Sequence, residues 1–179
     1  MHIEQHIPLL DAILEQWKDP LGADFEGYKN HLYRMLNFCF YMRNTTEEER
    51  KKLIISAAFH DLGIWSDKTL DYLPPSVKLA REYLLDNGLE AWSAEIELII
   101  DLHHKLMPYK DSQYPLVELF RRADLVDFSL GAIKNGVPKN YIQQVKTCFP
   151  NAGFHKRLKQ LSWQQLKAHP LNPLPMMKW

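Results

Sequence analysis

Thiols are scarce in this 179-residue sequence: it holds Cys39 and Cys148, and no CxxC pair. That excludes a disulfide framework and a thiolate zinc site, and both cysteines are expected as reduced core thiols of a cytoplasmic protein. No apolar run approaches the ~18 residues that span a bilayer, so no membrane contact is expected. The opening MHIEQHIPLLDAILEQW carries Glu4, Asp11 and Glu15 and lacks the basic start and apolar centre of a signal peptide. Charge of neither sign is in excess, with 22 basic and 22 acidic residues. A general attraction for a nucleic-acid polymer or an anionic surface is therefore excluded. There is no P-loop, no internal repeat, and no alternation of apolar and polar residues long enough for a strand.

What is present is helical patterning almost throughout. Ile3, Ile7, Leu10, Ile13, Leu14 and Trp17 recur at three- and four-residue steps, and Asp19-Pro20-Leu21-Gly22 stops that helix. A second helix is predicted over about 25–42. A third starts after the capping box Thr46/Glu49 and runs to His60-Asp61, with Gly63 as its stop. Residues 65–75 read as a loop. Further helices are expected over about 76–86, 90–106, 115–128 and 140–147, and Ser162 is placed to cap a last short one before Pro170. The fold class is all-α, a compact multi-helix bundle in a single domain over 1–179. The tail HPLNPLPMMKW is proline-rich and apolar. It is expected to pack on the body or on a second copy of the chain, a homodimer.

Against this background a few polar residues are misplaced. His31 lies mid-helix in YKNHLYRML, and His60-Asp61 closes the apolar run AAFHDLGIW. His103 and His104 lie in IIDLHHKL, and Asp124 in LFRRADLVDFS. Each has apolar neighbours on both sides, and a buried charge must be paired or bound to metal. Several helices that each aim one such group at a shared centre would solve the problem jointly. Imidazole and carboxylate suit Mn, Fe, Co, Ni or Zn, and no thiolate is present to select a softer ion. Asp127, three residues after Asp124, shares its face and is placed to orient a ligand. Lys68, Lys105, Arg121 and Arg122 are the candidates for holding a phosphate. Trp65, Tyr72 and Tyr109 either stack on a base or simply pack. His2, His6, His155 and His169 look peripheral.

The order His31, His60-Asp61, Asp124, with the contexts HDLG and RRADLVD, resembles the H…HD…D signature of the HD-domain superfamily of metal-dependent phosphohydrolases. The resemblance covers about 25–135 and leaves 136–179 as a helical extension plus the tail. It implies an all-α domain in which His31, His60, Asp61 and Asp124 bind one divalent transition metal ion per chain. It further implies hydrolysis of a small phosphorylated substrate, a nucleotide-type ester leading, with Asp61, His103 and His104 in catalytic roles. Dinuclear branches of the superfamily use extra histidines. His103-His104 resembles two of these, but 62–102 contains no histidine, so a single ion is expected. The alternatives are an iron oxygenase or hydratase on the same fold, or a non-enzymatic regulatory module with a relic site.

Overall fold

A computed structural model describes residues 2–178, and among these there are helices and no strands. The helices run α1 Pro8–Glu15, α2 Lys18–Leu21, α3 Phe25–Met42, α4 Glu47–Phe59, α5 Gly63–Ser66, α6 Leu73–Asp86, α7 Ser93–Leu102, α8 Pro115–Phe128, α9 Lys139–Cys148 and α10 Phe154–Ala168. Their starts follow local chemistry. Thr46 Oγ1 accepts from the Glu49 N–H while Glu49 accepts from the Thr46 N–H, a reciprocal cap for α4. Prolines occupy the first turns of α1, α6 and α8, where their missing N–H costs nothing.

The centre of the bundle is α3, α4, α7 and α8. Helix α3 packs on α8 and α4, and α7 packs on α4, α6 and α8. Leu32, Met35, Leu36 and Cys39 of α3 are fully buried, as are Leu53, Ala57 and Ala58 of α4 and Phe120 and Ala123 of α8. Burial of such side chains contributes about 1.5–3 kcal/mol each for the larger ones. The C-terminal end of α4 is held by the Tyr28 hydroxyl, which donates to the Ala58 carbonyl at 3.0 Å. Helices α9 and α10 lie against the first part of the chain. The guanidinium of Arg34 in α3 donates to the Phe149 and Pro150 carbonyls, both at 3.1 Å.

Several boundaries differ from the sequence reading, each for a physical reason. Gly63 does not stop α4 as a left-handed cap; it opens the short helix α5, whose last residues, Trp65 and Ser66, fall in the segment expected to become loop. A side chain at Gly63 would collide with the Tyr72 carbonyl oxygen and come within 2.9 Å of Pro75. The glycine is there for close approach. Helix α6 begins at Leu73, ahead of the Pro74-Pro75 pair, which its first turn accommodates. Helix α7 ends at Leu102, because the chain turns at His103 and Leu106 donates its N–H to the Lys178 carbonyl at 2.9 Å. Ser162 lies inside α10, whose start is set by Gly153 at φ 88°. Cys39 is a buried thiol as expected, whereas Cys148 is exposed at the end of α9. The tail packs on its own body: Met176 is buried, and Lys178 pairs with Asp101 at 3.2 Å.

Candidate metal centre

The polar residues singled out in the sequence meet at one point. His31 comes from the middle of α3, and Asp124 and Asp127 from one face of α8. His60 and Asp61 lie in the turn that joins α4 to α5, where the Leu62 N–H reaches back to the Phe59 carbonyl at 3.1 Å. This tightened turn takes the doublet off the regular helix and lets both side chains face inward. His103 and His104 follow α7 directly. All except His104, which is half-buried, are almost wholly removed from solvent.

The outer ring nitrogens are committed. His31 Nδ1 lies 2.7 Å from Asp127 Oδ2, His60 Nδ1 2.8 Å from the Ala57 carbonyl, and His103 Nδ1 2.7 Å from the Ile100 carbonyl. Each partner can only accept, so each Nδ1 carries the hydrogen and each Nε2 presents a lone pair inward. His31 Nε2 and His60 Nε2 then face each other at 3.3 Å. Two lone pairs at that distance repel unless a proton or a cation lies between them. Cis ligands on one ion at a bond length of about 2.1 Å would stand about 3 Å apart, close to this spacing.

The carboxylates complete the set. Asp61 Oδ2 is 3.3 Å from His60 Nε2 and 4.0 Å from His31 Nε2, while Asp61 Oδ1 is 3.4 Å from His103 Nε2. Asp61 Oδ1 is buried without a hydrogen bond. Asp124 Oδ1 stands 3.6 Å from His31 Nε2. Ligand atoms within 4.8 Å of one another form two triads, His31-His60-Asp61 and Asp61-His103-His104, with Asp61 in both. Two carboxylates beside neutral imidazoles leave a net negative centre that a divalent cation would balance.

Titration behaviour follows the same geometry. Protons on the same rings would do the cation's work: burial works to raise Asp61, but protonated His60, and then His103, hold it well below the usual carboxylate range. Asp124 is pushed up by burial, and the charges of the surrounding histidines offset this only in part. Burial lowers His60, yet Asp61 and then Asp124 outweigh it and the ring is raised overall. Burial and the charge of His103 hold His104 well below its ordinary value.

The family model for the HD domain matches residues 28–129, which contain His31, His60, Asp61, His103, His104 and Asp124. The chain belongs to the HD-domain family. No curated protein and no solved structure matches it. HD-domain proteins are mostly metal-dependent phosphohydrolases, and the buried His/Asp cluster here is capable of binding metal. No described helix is long and apolar enough to cross a membrane.

The candidate phosphate ligands divide. Lys105 and Arg121 line a cavity that opens from the His/Asp cluster. Lys68 instead lines a separate groove with Trp65 and Arg157, because it sits past α5 at φ 53° and turns away. Arg122 points off the opposite side of α8 and donates to the Asn135 carbonyl at 2.6 Å. Neither reaches the cluster. Of the three aromatics, Tyr72 is at the site, its hydroxyl 2.6 Å from His104 Nε2. Trp65 packs on Tyr28 and bonds Asp24, and Tyr109 is not among the residues lining the cavity.

Three contributors were not singled out in the sequence. Arg34 grips Asp127 through Nε at 2.6 Å and Nη2 at 2.8 Å, and so holds the carboxylate that holds His31. Its position three residues after His31 on α3 is the signal that could have marked it. Phe154, from the start of α10, stacks on His31 with ring centroids 4.3 Å apart. Nothing in its local sequence announces that role. His155, read as peripheral, reaches the Asp127 carbonyl at 3.2 Å.

Proposed function

We propose that the protein is a metal-dependent hydrolase of small phosphate esters. The observation that carries this reading is the convergence of the His31, His60 and His103 Nε2 atoms on Asp61, with every outer nitrogen already committed. His31, His60, Asp61 and Asp124 would hold one divalent transition metal ion. Such an ion, when bound, polarises a phosphoryl oxygen and brings the pKa of a coordinated water toward neutrality.

The protein's own residues supply the rest. Asp127 and Arg34 fix the His31 ring, and the Ala57 carbonyl fixes His60. Lys105 would orient a phosphate oxygen, while Arg121, forked onto Glu118 at 2.7 Å through two nitrogens, holds the Lys105 carbonyl at 3.2 Å. Water adds to phosphorus as the ester P–O bond breaks; the proton that this water gives up is taken by the His103–His104 pair and passed to the leaving oxygen. Tyr72 orients that pair from 2.6 Å.

A second reading is favoured by one observation, the placement of Asp61 in both triads. That geometry suits a two-ion centre and therefore an iron oxygenase or a hydratase. Elemental analysis of purified protein, followed by a phosphatase screen with Mn, Co, Ni and Mg, decides between them. The hydrolase reading expects turnover that disappears in His60→Ala. Two irons per chain without phosphatase activity would replace it with the second reading. Absence of any bound metal after anaerobic preparation would favour a relic site in a regulatory module.

A further inference from the structure

The cavity beside the cluster has a volume of about 180 Å³. Its walls away from the metal-binding side chains are mostly apolar, with Leu125 and Phe128 from α8, Phe154 and Leu158 from α10, and Leu174 and Met177 from the tail, and Ser162 of α10 as a polar exception. The cationic lining among the described residues is Lys105 and Arg121, and the Arg121 guanidinium spends its Nε/Nη2 edge on Glu118 and its Nη1 on the Lys105 carbonyl. This is a poor match to a di- or triphosphate, whose added charges would each need a partner in a dry site. It is a good match to one phosphate joined to an apolar body. The size also speaks: an apolar cavity of about 150 Å³ accommodates a benzene ring, whereas pockets for larger ligands run to about 300–1,000 Å³.

The tail makes one wall, and it is pinned. Leu106 donates to the Lys178 carbonyl at 2.9 Å, and the Lys178 ammonium pairs with Asp101 at 3.2 Å. Helix α10 and the tail lie outside the matched family segment 28–129, so the walls made by Phe154, Leu158, Leu174 and Met177 belong to the part of the chain that the family match does not cover, while Leu125 and Phe128 lie within it.

We infer that the substrate is a monophosphate ester with a compact apolar body, about one ring or a short branched chain in size, and that Leu174 and Met177 are specificity-determining residues which select it. The inference rests on the hydrolase reading and narrows its substrate from nucleotides to smaller, less polar esters.

The test is calorimetric binding of methylphosphonate, phenylphosphonate and adenosine monophosphate to the Mn²⁺-loaded full-length protein. The two phosphonates share a head group, so their ratio reports the body alone. Phenylphosphonate is expected to bind roughly tenfold or more tightly than methylphosphonate, and more tightly than adenosine monophosphate. In Leu174→Asp, at a half-exposed position where folding is tolerant, the gap between the two phosphonates should shrink to threefold or less, as it should in Met177→Asp. Equal affinity of the two phosphonates in the wild-type protein overturns the inference and leaves the hydrolase reading standing, as does a preference for adenosine monophosphate. Failure of all three to bind overturns both.

Discussion

Asp127 Oδ2 lies 2.7 Å from Nδ1 of His31, and the same carboxylate is forked by Arg34 at 2.6 and 2.8 Å. Burial alone would raise Asp127, but these two partners hold it far below the usual carboxylate range. The chain Arg34–Asp127–His31 therefore fixes one tautomer of a buried ring before any ion arrives. Asp127→Asn keeps the shape and removes the charge. It should weaken metal binding about 10–100-fold, read by competition with a chromogenic chelator, while the fold persists by circular dichroism. Unchanged affinity would show that His31 is oriented by packing on Phe154 instead.

The facing Nε2 atoms of His31 and His60 lead to a prediction about stability. An ion that binds only the folded chain stabilises it by about 2.7 kcal/mol at 100 times its Kd. For a domain of this size that is a rise in Tm of roughly 5–10 °C. Chelation should remove the rise, and His60→Ala should abolish it. Calorimetric melting with and without EDTA measures both. A Tm indifferent to Mn, Co, Ni and Zn would sink the metal centre itself.

Glu118 gives a pH dependence whose sign is fixed by its partners. Burial raises its carboxyl, but hydrogen bonds from Arg121 and the Tyr109 N–H outweigh this and lower it. A carboxyl lowered on folding stabilises the protein fully above its unfolded value near 4.5 and loses that contribution as pH falls through the folded value. Melting temperatures of wild type and Glu118→Gln should therefore differ most near neutrality and converge as pH falls below 4.5 and through the lowered folded value. A gap that widened in acid would contradict the assignment.

The two thiols should separate cleanly. Burial, reinforced by the charge of Asp124, raises Cys39, so its reactive thiolate is suppressed, while Cys148 is exposed. A thiol reagent should label one cysteine in the native state and two after unfolding. Mass spectrometry of tryptic peptides should place the native label on Cys148. Native labelling of Cys39 would mean that the interior around α3 opens readily.

The helical fold was legible because the apolar positions of α3, α4 and α8 repeat at helical spacing and their caps are local. The core of the site was legible for the opposite reason: His31, His60, Asp61 and Asp124 are polar where the pattern demands apolar residues. What escaped was long-range. Phe154 reaches His31 across more than a hundred residues of chain, and Arg34 looks like any helix cation until Asp127 is brought to it. Lys68 and Arg122 lie away from the cluster, since a basic residue near a motif in sequence carries no information about which way its side chain faces.

Gly63 shows how a residue can be noticed for the wrong reason. Its place after the His-Asp doublet reads as a helix stop, yet it lies in helical backbone, opening α5. Its N–H donates to Ser76 Oγ at 2.9 Å, and the space a side chain would need is filled by Tyr72, Pro75 and Ser76. The glycine thus lets α5 and the start of α6 touch, and Tyr72, which orients His104, sits at that contact. Gly63→Ala should destabilise the fold by about 1–3 kcal/mol, the usual cost of overpacking, against the small gain that alanine gives in an open helix. It should also displace Tyr72 from His104. The expected pairing is a lowered Tm with a fall in kcat larger than that of Tyr72→Phe, because the glycine substitution moves both the doublet and the tyrosine. A Gly63→Ala protein with raised Tm would mean that the close contact between α5 and α6 is not present in solution.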